Sequence, residues 1–288
     1  MPRPGKSSVP VRIRRLRDGR MSRAKDVVSV EEPMEIRLAL PAPDGRRGEV
    51  RSIAVTMRTP GHDFELAAGF LLSEGVVTSR GQIQEITYCR SGEAAQDYNV
   101  LEVRLRTADV DLDRLSRNVF TSSSCGICGK ASIEAVELQG CALLPTGTLA
   151  LTTDRVLELP ELLRASQAQF DRTGGLHGAG LFPAIGEGGP VHEDVGRHNA
   201  VDKVIGEAFL EGGLPLSDRA LAVSGRLSFE IVQKALAAGI PMIVAVGAPS
   251  SLAVDLAERF GMTLVGFVRN GGFNIYSGAE RVLEGESG

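Results

Sequence analysis

Residues 220–276 read ALAVSGRLSFEIVQKALAAGIPMIVAVGAPSSLAVDLAERFGMTLVGFVRNGGFNIY. The fold class follows from this stretch. Short apolar runs alternate in it with segments whose apolar residues recur every three or four positions, so strands and amphipathic helices are predicted in turn. The strands are predicted at 220–224, 242–247, 263–269 and 273–276, and the helices at 228–238 and 250–260. Such alternation implies parallel strands joined by right-handed crossovers. The second half of the chain therefore predicts an α/β layered sheet.

The carboxyl ends of these strands are unusually rich in small residues. They read Ser224-Gly225-Arg226, Gly247-Ala-Pro-Ser250-Ser251 and Phe267-Val268-Arg269-Asn270-Gly271-Gly272. Ligands of such sheets bind beyond the carboxyl ends. Small residues let backbone N–H groups approach an anion, and arginine suits phosphate. Although most strand–helix turns carry glycine or serine for geometry alone, three such ends predict a crevice for a phosphate-bearing ligand. Neither a P-loop nor a Rossmann glycine pattern is present.

Two stretches upstream of this region add candidate ligand contacts. Leu176 to Phe182 is predicted as a buried, glycine-rich strand, and its His177 is either a ligand contact or a core-edge histidine bonded to backbone. Asp194 lies in an acidic pair that leads into a helix with a single apolar stripe. The alternatives for this acidic pair are a salt-linked helix start and contact with a ligand. Both His177 and Asp194 are included among the candidate binding residues.

The first part of the chain predicts a basic leader and a β-rich lobe. Residues 1–25 carry nine Lys or Arg against the single acid Asp18, a net charge of +8; since the whole chain carries −4, residues 26–288 sum to −12. Residues 1–29 are expected to be a disordered leader, although a basic tail can also steer a protein toward an acidic partner or nucleic acid. Residues 30–115 predict a smaller β-rich lobe with one helix, near 63–74.

Cys125 and Cys128 stand in the stretch Thr121-Ser-Ser-Ser-Cys125-Gly-Ile-Cys128-Gly-Lys130. Such a pair can share a metal, close a disulfide or hold a low-pKa thiolate beside a second sulfur. A closed zinc site needs a second pair of ligands, which the sequence lacks, and the general-base carboxylate of zinc deaminases is absent after His177. The thioredoxin motif lies near a first strand, whereas this pair lies in a loop before a helix predicted at 131–138. That placement favours a thiolate.

Cysteine usage and hydropathy indicate where the protein works. The four cysteines are unevenly spaced and no secretory signal is evident, so a reducing cytoplasm is expected. The longest apolar run, residues 240–249, falls far short of the ~20 residues that a membrane span needs. A membrane segment is therefore not expected. Residues 116–145 are assigned to the cysteine loop and its helix, and residues 146–288 to an α/β cofactor-binding domain.

Several of these motifs together resemble one family. Five motifs are similar to motifs of FdhD, the formate dehydrogenase accessory sulfurtransferase. They are Cys125-Gly-Ile-Cys128-Gly, Thr173-Gly-Gly-Leu-His177, the stretch from Glu193 to Lys203, Ser224-Gly-Arg226 and the stretch from Phe267 to Tyr276. The resemblance covers about residues 30–280 and leaves out the basic leader.

The resemblance implies a fold, an activity and partners. Proteins of this family are cytoplasmic homodimers whose larger part looks like a cytidine-deaminase fold without that activity. They take sulfane sulfur from a cysteine desulfurase as a persulfide and transfer it to molybdenum of the bis-molybdopterin guanine dinucleotide cofactor, which then goes to formate dehydrogenase. By motif, Cys125 would carry the persulfide with Cys128 as its partner. Phe267 to Gly272 would form part of the cofactor site.

The implied cofactor agrees with the residues of the predicted crevice. Arg226 and Arg269 would meet the phosphates of the guanine nucleotide, with Ser224, Ser250 and Ser251 beside them, and GDP or GMP would act as a mimic. No resident metal, nucleic acid or membrane is expected as a ligand or partner. A cofactor-binding chaperone that does not itself transfer sulfur is the alternative, because it needs the same crevice.

Overall fold

A computed structural model describes residues 6–42, 47–89, 98–107 and 141–285. The strands are β1 (Ser8–Arg17), β2 (Arg20–Ser29), β3 (Glu32–Pro41), β4 (Arg47–Arg58), β5 (Ile83–Tyr88), β6 (Val100–Leu105), β7 (Leu151–Thr152), β8 (His177–Pro183), β9 (Val191–Asp194), β10 (Arg219–Val223), β11 (Met242–Ala245), β12 (Thr263–Arg269), β13 (Gly272–Ser277) and β14 (Val282–Leu283). The helices are α1 (Asp63–Ser73), α2 (Thr153–Ala165), α3 (Ala168–Thr173), α4 (Arg197–Leu210), α5 (Phe229–Ala237) and α6 (Ser251–Phe260). The chain has a mixed α/β fold.

The main sheet has six strands in the order β13-β12-β11-β10-β8-β9. The predicted parallel crossovers are confirmed for β10, β11 and β12. The outer strands differ, because β8 runs antiparallel to β10, β9 to β8 and β13 to β12. The sheet is therefore mixed and not parallel throughout. Short connections join β8 to β9 and β12 to β13, and short connections link only antiparallel neighbours.

The two faces of the main sheet are covered by different helices. Alternate side chains of β10 show this, since Leu221 and Val223 belong to one apolar cluster, and Ala220 and Ala222 to another. The first cluster includes residues of α1, α4, α5 and α6, whereas the second is closed by Val156, Leu159 and Leu163 of α2. The strand period places successive side chains on opposite faces, so the sheet is buried between helical layers as an α/β fold requires.

The N-terminal sheet has four strands in the order β4-β3-β6-β5. The period-two pattern of residues 34–57 predicts two strands joined by a turn, and this hairpin of β3 and β4 is confirmed. The helix predicted near 63–74 is also confirmed and runs from Asp63 to Ser73. Arg58, at the end of β4, is 1% exposed and forms ion pairs with Asp63 at 3.0 Å and with Glu32 at 3.1 Å. These contacts hold the start of α1 against the sheet. Met34, Ile36 and Leu38 of β3 belong to the same core as the main sheet, so one apolar core serves both.

Helices α1 and α4 pack against each other through two glycines. A Cβ atom added at Gly206 would lie 1.8 Å from the carbonyl oxygen of Glu65, and one added at Gly69 would lie 2.0 Å from that of Asp202. Only glycine permits this approach, because Cβ atoms do not come within about 3 Å of a backbone atom of another element. The α1–α4 contact joins the N-terminal lobe to the layer that covers the main sheet.

The prediction of a disordered leader over residues 1–29 is wrong for residues 8–29. Residues 8–29 form an antiparallel ribbon in which β1 and β2 pair along their whole length, from Ser8 with Ser29 to Arg17 with Arg20. Asp18 and Gly19 make the turn with φ angles of 49° and 72°, as the two-residue Asp-Gly turns of hairpins do. A suitable turn and apolar residues at alternate positions thus outweigh the repulsion of the positive charges. The division of the chain at 115 and 145 stays a prediction.

From the sequence, Pro160 is predicted to begin a helix that runs to about Phe170, but the helix begins earlier. Helix α2 starts at Thr153, where the side chain of Thr152 accepts a hydrogen bond from the backbone N–H of Arg155 at 3.2 Å, and Pro160 lies inside it. The segment then continues as α3, which ends before Gly174 with its left-handed φ of 68°. In the part of the chain that the structure describes, no helix is both long and apolar enough to cross a membrane.

Candidate ligand-binding crevice

The loops after β10, β11 and β12 lie side by side at one edge of the main sheet. The backbone N–H of Gly247 donates to the carbonyl of Gly225 at 3.1 Å, and that of Phe267 donates to the carbonyl of Gly247 at 3.2 Å. A Cβ atom at Gly247 would come within 2.7 Å of the Gly225 carbonyl oxygen. The small residues noted in the sequence are therefore needed to bring the loops together, and that requirement exists whether or not a ligand binds.

The loop after β12 is the most unusual of the three. Asn270 and Gly271 have φ angles of 53° and 72°, which make a tight hairpin turn into β13. Phe267 also has a left-handed φ, of 56°, at a break in the pairing of β12 with β13. A bulky residue in that conformation is an outlier, and such bulges re-aim side chains near functional sites. The Arg269 guanidinium lies over the Phe267 ring, 5.3 Å from its centre.

Other candidate residues of these loops stand free at the surface. The side chain of Arg226 is exposed, as are Ser251, Arg269, Gly271 and Gly272. Ser250 is exposed too, but its hydroxyl accepts a hydrogen bond from the N–H of Ala253 and so caps α6. Two exposed arginines therefore lie beside the strand ends, which is suited to binding an anionic group.

A pocket of 1040 Å³ opens next to these strand ends. Three of the candidate residues line it, namely His177, Ser224 and Val268. Ser224 is held there because its hydroxyl accepts the backbone N–H of Gly178 at 2.9 Å and its own N–H donates to the Gly178 carbonyl at 3.0 Å. The volume lies at the upper end of the range for small-molecule and cofactor sites.

Much of the pocket wall comes from α2 and α3, which the sequence did not single out. Its lining there includes Pro160, Glu161, Arg164, Gln167, Phe170 and Asp171. The guanidinium of Arg164 lies over the Phe170 ring at 4.7 Å and forms an ion pair with Asp171. Gln167 is 2% exposed, and its side-chain nitrogen has no hydrogen-bond partner in the described residues. The one feature of this segment that stands out in the sequence is Pro160, because proline is rare inside a helix.

His177 lies where the pocket meets the strand ends. Burial lowers the pKa of His177, and the nearby positive charges of Arg197 and His198 lower it further, whereas Asp194 opposes them. The imidazole is therefore neutral near pH 7 and can donate one hydrogen bond and accept another. From the sequence, Arg197 is either part of a salt-linked helix start or a ligand contact. In the structure its Nε is buried without a hydrogen-bond partner among the described residues.

Asp194 has a different place from the other candidates. It is fully buried and forms an ion pair with Lys203 at 2.7 Å. It also accepts hydrogen bonds from the N–H groups of Thr59 and Gly196 and from the Asn199 amide, at 3.1, 2.8 and 3.0 Å. Both carboxylate oxygens are thus engaged within the protein. This geometry favours the structural alternative, a salt-linked start of α4, over contact with a ligand.

Cys125, Cys128 and the helix predicted at 131–138 lie outside the described residues. The two cysteines within them, Cys89 and Cys141, are not joined in a disulfide. Burial raises the pKa of the Cys141 thiol, which makes it a poor nucleophile. In the ranges that the structure covers, no cluster of three or more His, Cys, Asp or Glu side chains is arranged to hold a metal ion.

A mixed sheet between helical layers, with a large pocket at its strand ends, defines an α/β protein with a candidate ligand-binding site. Comparison with known proteins then specifies the family. The FdhD/NarQ family profile matches residues 31–283, so the chain belongs to the FdhD/NarQ family.

Relatives align along nearly the whole chain. Proteins named sulfur carrier protein FdhD are 50% identical over 278 residues in Streptomyces coelicolor, covering 94% of both chains, and 41% identical over 273 residues in Sulfurisphaera tokodaii, covering 95% of this chain and 98% of the relative. A solved structure described as a formate dehydrogenase accessory protein from Desulfotalea psychrophila superposes with a TM-score of 0.72 at 28% identity, covering 96% of this chain and all of that one.

Proposed function

We propose that this protein carries sulfur for the maturation of formate dehydrogenase. Sulfane sulfur from a cysteine desulfurase would be held as a Cys125 persulfide and transferred to molybdenum of bis-molybdopterin guanine dinucleotide, bound as a substrate at the strand ends. The observation that carries this proposal is the alignment of relatives named as sulfur carriers along 94% of the chain. The structural neighbour's description as a formate dehydrogenase accessory protein supports the same role.

The first chemical step is a thiol–disulfide type of exchange. The Cys125 thiolate attacks the outer sulfur of the desulfurase persulfide, the S–S bond of that persulfide breaks, and the desulfurase thiolate leaves. No electrons are gained or lost overall. Cys128 is then placed by sequence to attack the inner sulfur, which would release the outer sulfur as hydrosulfide and leave a Cys125–Cys128 disulfide for a cellular dithiol to reduce. That second attack supplies the two electrons that convert sulfane sulfur to sulfide.

Persulfide loading is the direct test of this role. Incubation with a cysteine desulfurase and cysteine should add the mass of one sulfur atom to the intact wild-type chain, and Cys125→Ala should abolish the addition. Cys141→Ala is the matched control and should load normally, because that thiol is half-buried. Undiminished loading of Cys125→Ala would refute the assigned role of Cys125.

The alternative is a cofactor-binding chaperone that transfers no sulfur. It is favoured by one observation, the pocket beside the strand ends, whose lining among the described residues includes no cysteine. The double variant Cys125→Ser/Cys128→Ser separates the two functions in a strain that lacks its own accessory protein. Restored formate dehydrogenase activity would support the chaperone, and no activity would support sulfur transfer.

The exposed arginines are proposed to bind the phosphates of the cofactor's guanine nucleotide. Arg269→Ala should weaken the binding of GDP or GMP about tenfold, because a hydrogen bond to a charged group contributes roughly 1.5–3 kcal/mol, and it should leave Cys125 loading intact. Arg219→Ala removes the same charge at the opposite end of β10 and is the control. Equal affinities of wild type and Arg269→Ala in calorimetry would remove Arg269 from the site.

The remaining parts of the proposal follow the family. We propose a cytoplasmic homodimer whose main sheet and helices are layered as in cytidine deaminases, without deaminase activity. The mixed α/β sheet with helices on both faces is compatible with that layering. Light scattering on the purified protein tests the assembly, and the mass of a single chain would contradict it.

A further inference from the structure

The ribbon of β1 and β2 has two faces of different character. In an antiparallel pair, residues directly opposite each other point to the same side. One face, here called the cationic face, contains the opposed pairs Arg12 with Lys25 and Arg14 with Arg23. Next to them on the same face are Pro10 opposite Val27 and Leu16 opposite Met21. Four positive charges thus form a block between two apolar pairs.

The charges of the cationic face are not neutralised by this chain. All four side chains are exposed. Among the described residues, the ion pairs and side-chain hydrogen bonds include none from any of the four. Like charges directly opposite each other destabilise a β-ladder. An arrangement that costs stability in the free protein and points outward is typical of a surface that meets an opposite charge on a partner.

The other face of the ribbon is partly neutralised and partly covered. Its Arg15 forms an ion pair with Asp26 at 3.5 Å, and Val11, Ile13 and Ala24 are half-buried. This face also carries Arg17 opposite Arg20, both exposed at the turn end of the ribbon. The cationic face therefore has four positive side chains without an ion pair among the described residues, against two on the other face.

The base of the ribbon is fixed beside the pocket. The hydroxyl of Ser29 donates to Oγ1 of Thr173, the last residue of α3, at 2.8 Å. The next two residues, Gly174 and Gly175, line the pocket. A partner held on the ribbon would therefore stand next to the pocket entrance.

We propose that the cationic face docks an acidic segment of a partner protein. The combination of Arg and Met with further apolar side chains is typical of protein–protein interfaces, and Leu16 and Met21 are 65% and 62% exposed. A polynucleotide fits less well, because the ribbon has no aromatic side chain on which a base could stack. This inference does not depend on sulfur transfer.

The test compares two triple variants of the full-length protein. R12Q/R14Q/R23Q removes three charges from the cationic face, and R15Q/R17Q/R20Q removes three charges from the opposite face of the same ribbon. The probe is a short fluorescein-labelled peptide in which glutamate alternates with leucine, and its glutamine counterpart controls for the apolar part. Fluorescence anisotropy should show binding weakened about tenfold by the first variant and about twofold or less by the second, since exposed ion pairs contribute roughly 0.2–1 kcal/mol each.

Four results would overturn the inference. These are equal weakening by the two variants, equal binding of the glutamine peptide, tighter binding of an oligonucleotide of equal charge, and a change of assembly mass in R12Q/R14Q/R23Q alone, which would assign the cationic face to a second copy of the chain. Thermal unfolding of both variants keeps the comparison valid. The first should be at least as stable as wild type, because it removes opposed like charges.

Discussion

Lys203→Met should lower the free energy of unfolding by about 3–5 kcal/mol, because removal of one partner leaves a buried charge uncompensated. Lys203 is 1% exposed. Its ammonium pairs with Asp194 and also donates to the carbonyls of Thr59 and Glu193, at 2.9 and 3.3 Å. Methionine fills similar space but cannot make these contacts. Urea unfolding followed by circular dichroism measures the loss.

The matched control for Lys203 is Arg219→Met. Arg219 is 37% exposed and faces Asp218 at 3.7 Å, so its loss should change the free energy of unfolding by at most about 1 kcal/mol. Similar, small effects of the two substitutions would show that the buried pair does not hold α4 and β9 in place.

Gly206→Ala should destabilise the protein by about 3 kcal/mol or more. The added Cβ atom would meet the Glu65 carbonyl at 1.8 Å, and the obstacle is backbone that cannot rotate away. Overpacking of a core usually costs 1–3 kcal/mol, and a clash with backbone lies above that range. Because domains are stable by only about 5–15 kcal/mol, low yield or a strongly reduced melting temperature is expected.

Gly81→Ala provides the comparison for Gly206. Nothing lies within 4 Å of a Cβ atom at Gly81, so the melting temperature should stay near that of wild type. A Gly206→Ala protein as stable as Gly81→Ala would show that α1 and α4 can separate without loss, contrary to the packing described above.

Elements with an unambiguous period were predictable, and the direction of a strand was not. The segments from Ala220 to Tyr276 alternate clearly between strand and helix, and β10 to β13 with α5 and α6 lie within a few residues of their predicted bounds. The run from Leu176 to Phe182 showed only that a strand is buried. Direction depends on how strands are connected: the short links from β8 to β9 and from β12 to β13 make these two pairs antiparallel. Strand β8 is connected to β10 only through β9 and α4.

The positive charge of residues 1–29 predicts disorder, whereas the turn residues within them predict the hairpin that is observed. Asp18-Gly19 between alternating residues is a strong local signal for a hairpin, and Val9, Val11 and Ile13 alternate before it. At Pro160, a common signal for the start of a helix is misleading. Proline often begins a helix, but the cap at Thr152 begins this one earlier.

The site residues at the strand ends could be predicted from the sequence, but those on the helices that cover the strand ends could not. Ser224, His177 and Val268 line the pocket, but Arg164, Gln167 and Phe170 lie in a segment where the sequence predicts a helix and marks no ligand contact. Their role as a wall depends on how α2 and α3 lie against β8, which is long-range packing. Asp194 was predicted as a ligand contact from its place near the crevice, but all of its contacts in the structure are within the protein.

The hydrogen bonds of Thr59 limit how genes of this family can be recombined. Its backbone N–H binds Asp194, its carbonyl binds Lys203, and its hydroxyl accepts the N–H of Val195 at 3.1 Å. All three contacts cross from the first third of the chain to the last. A hybrid gene spliced between two homologues near residue 146 would therefore have to keep both sides of this joint from one parent. Random shuffling should yield few folded progeny unless position 59 and its three hydrogen-bond partners are inherited together.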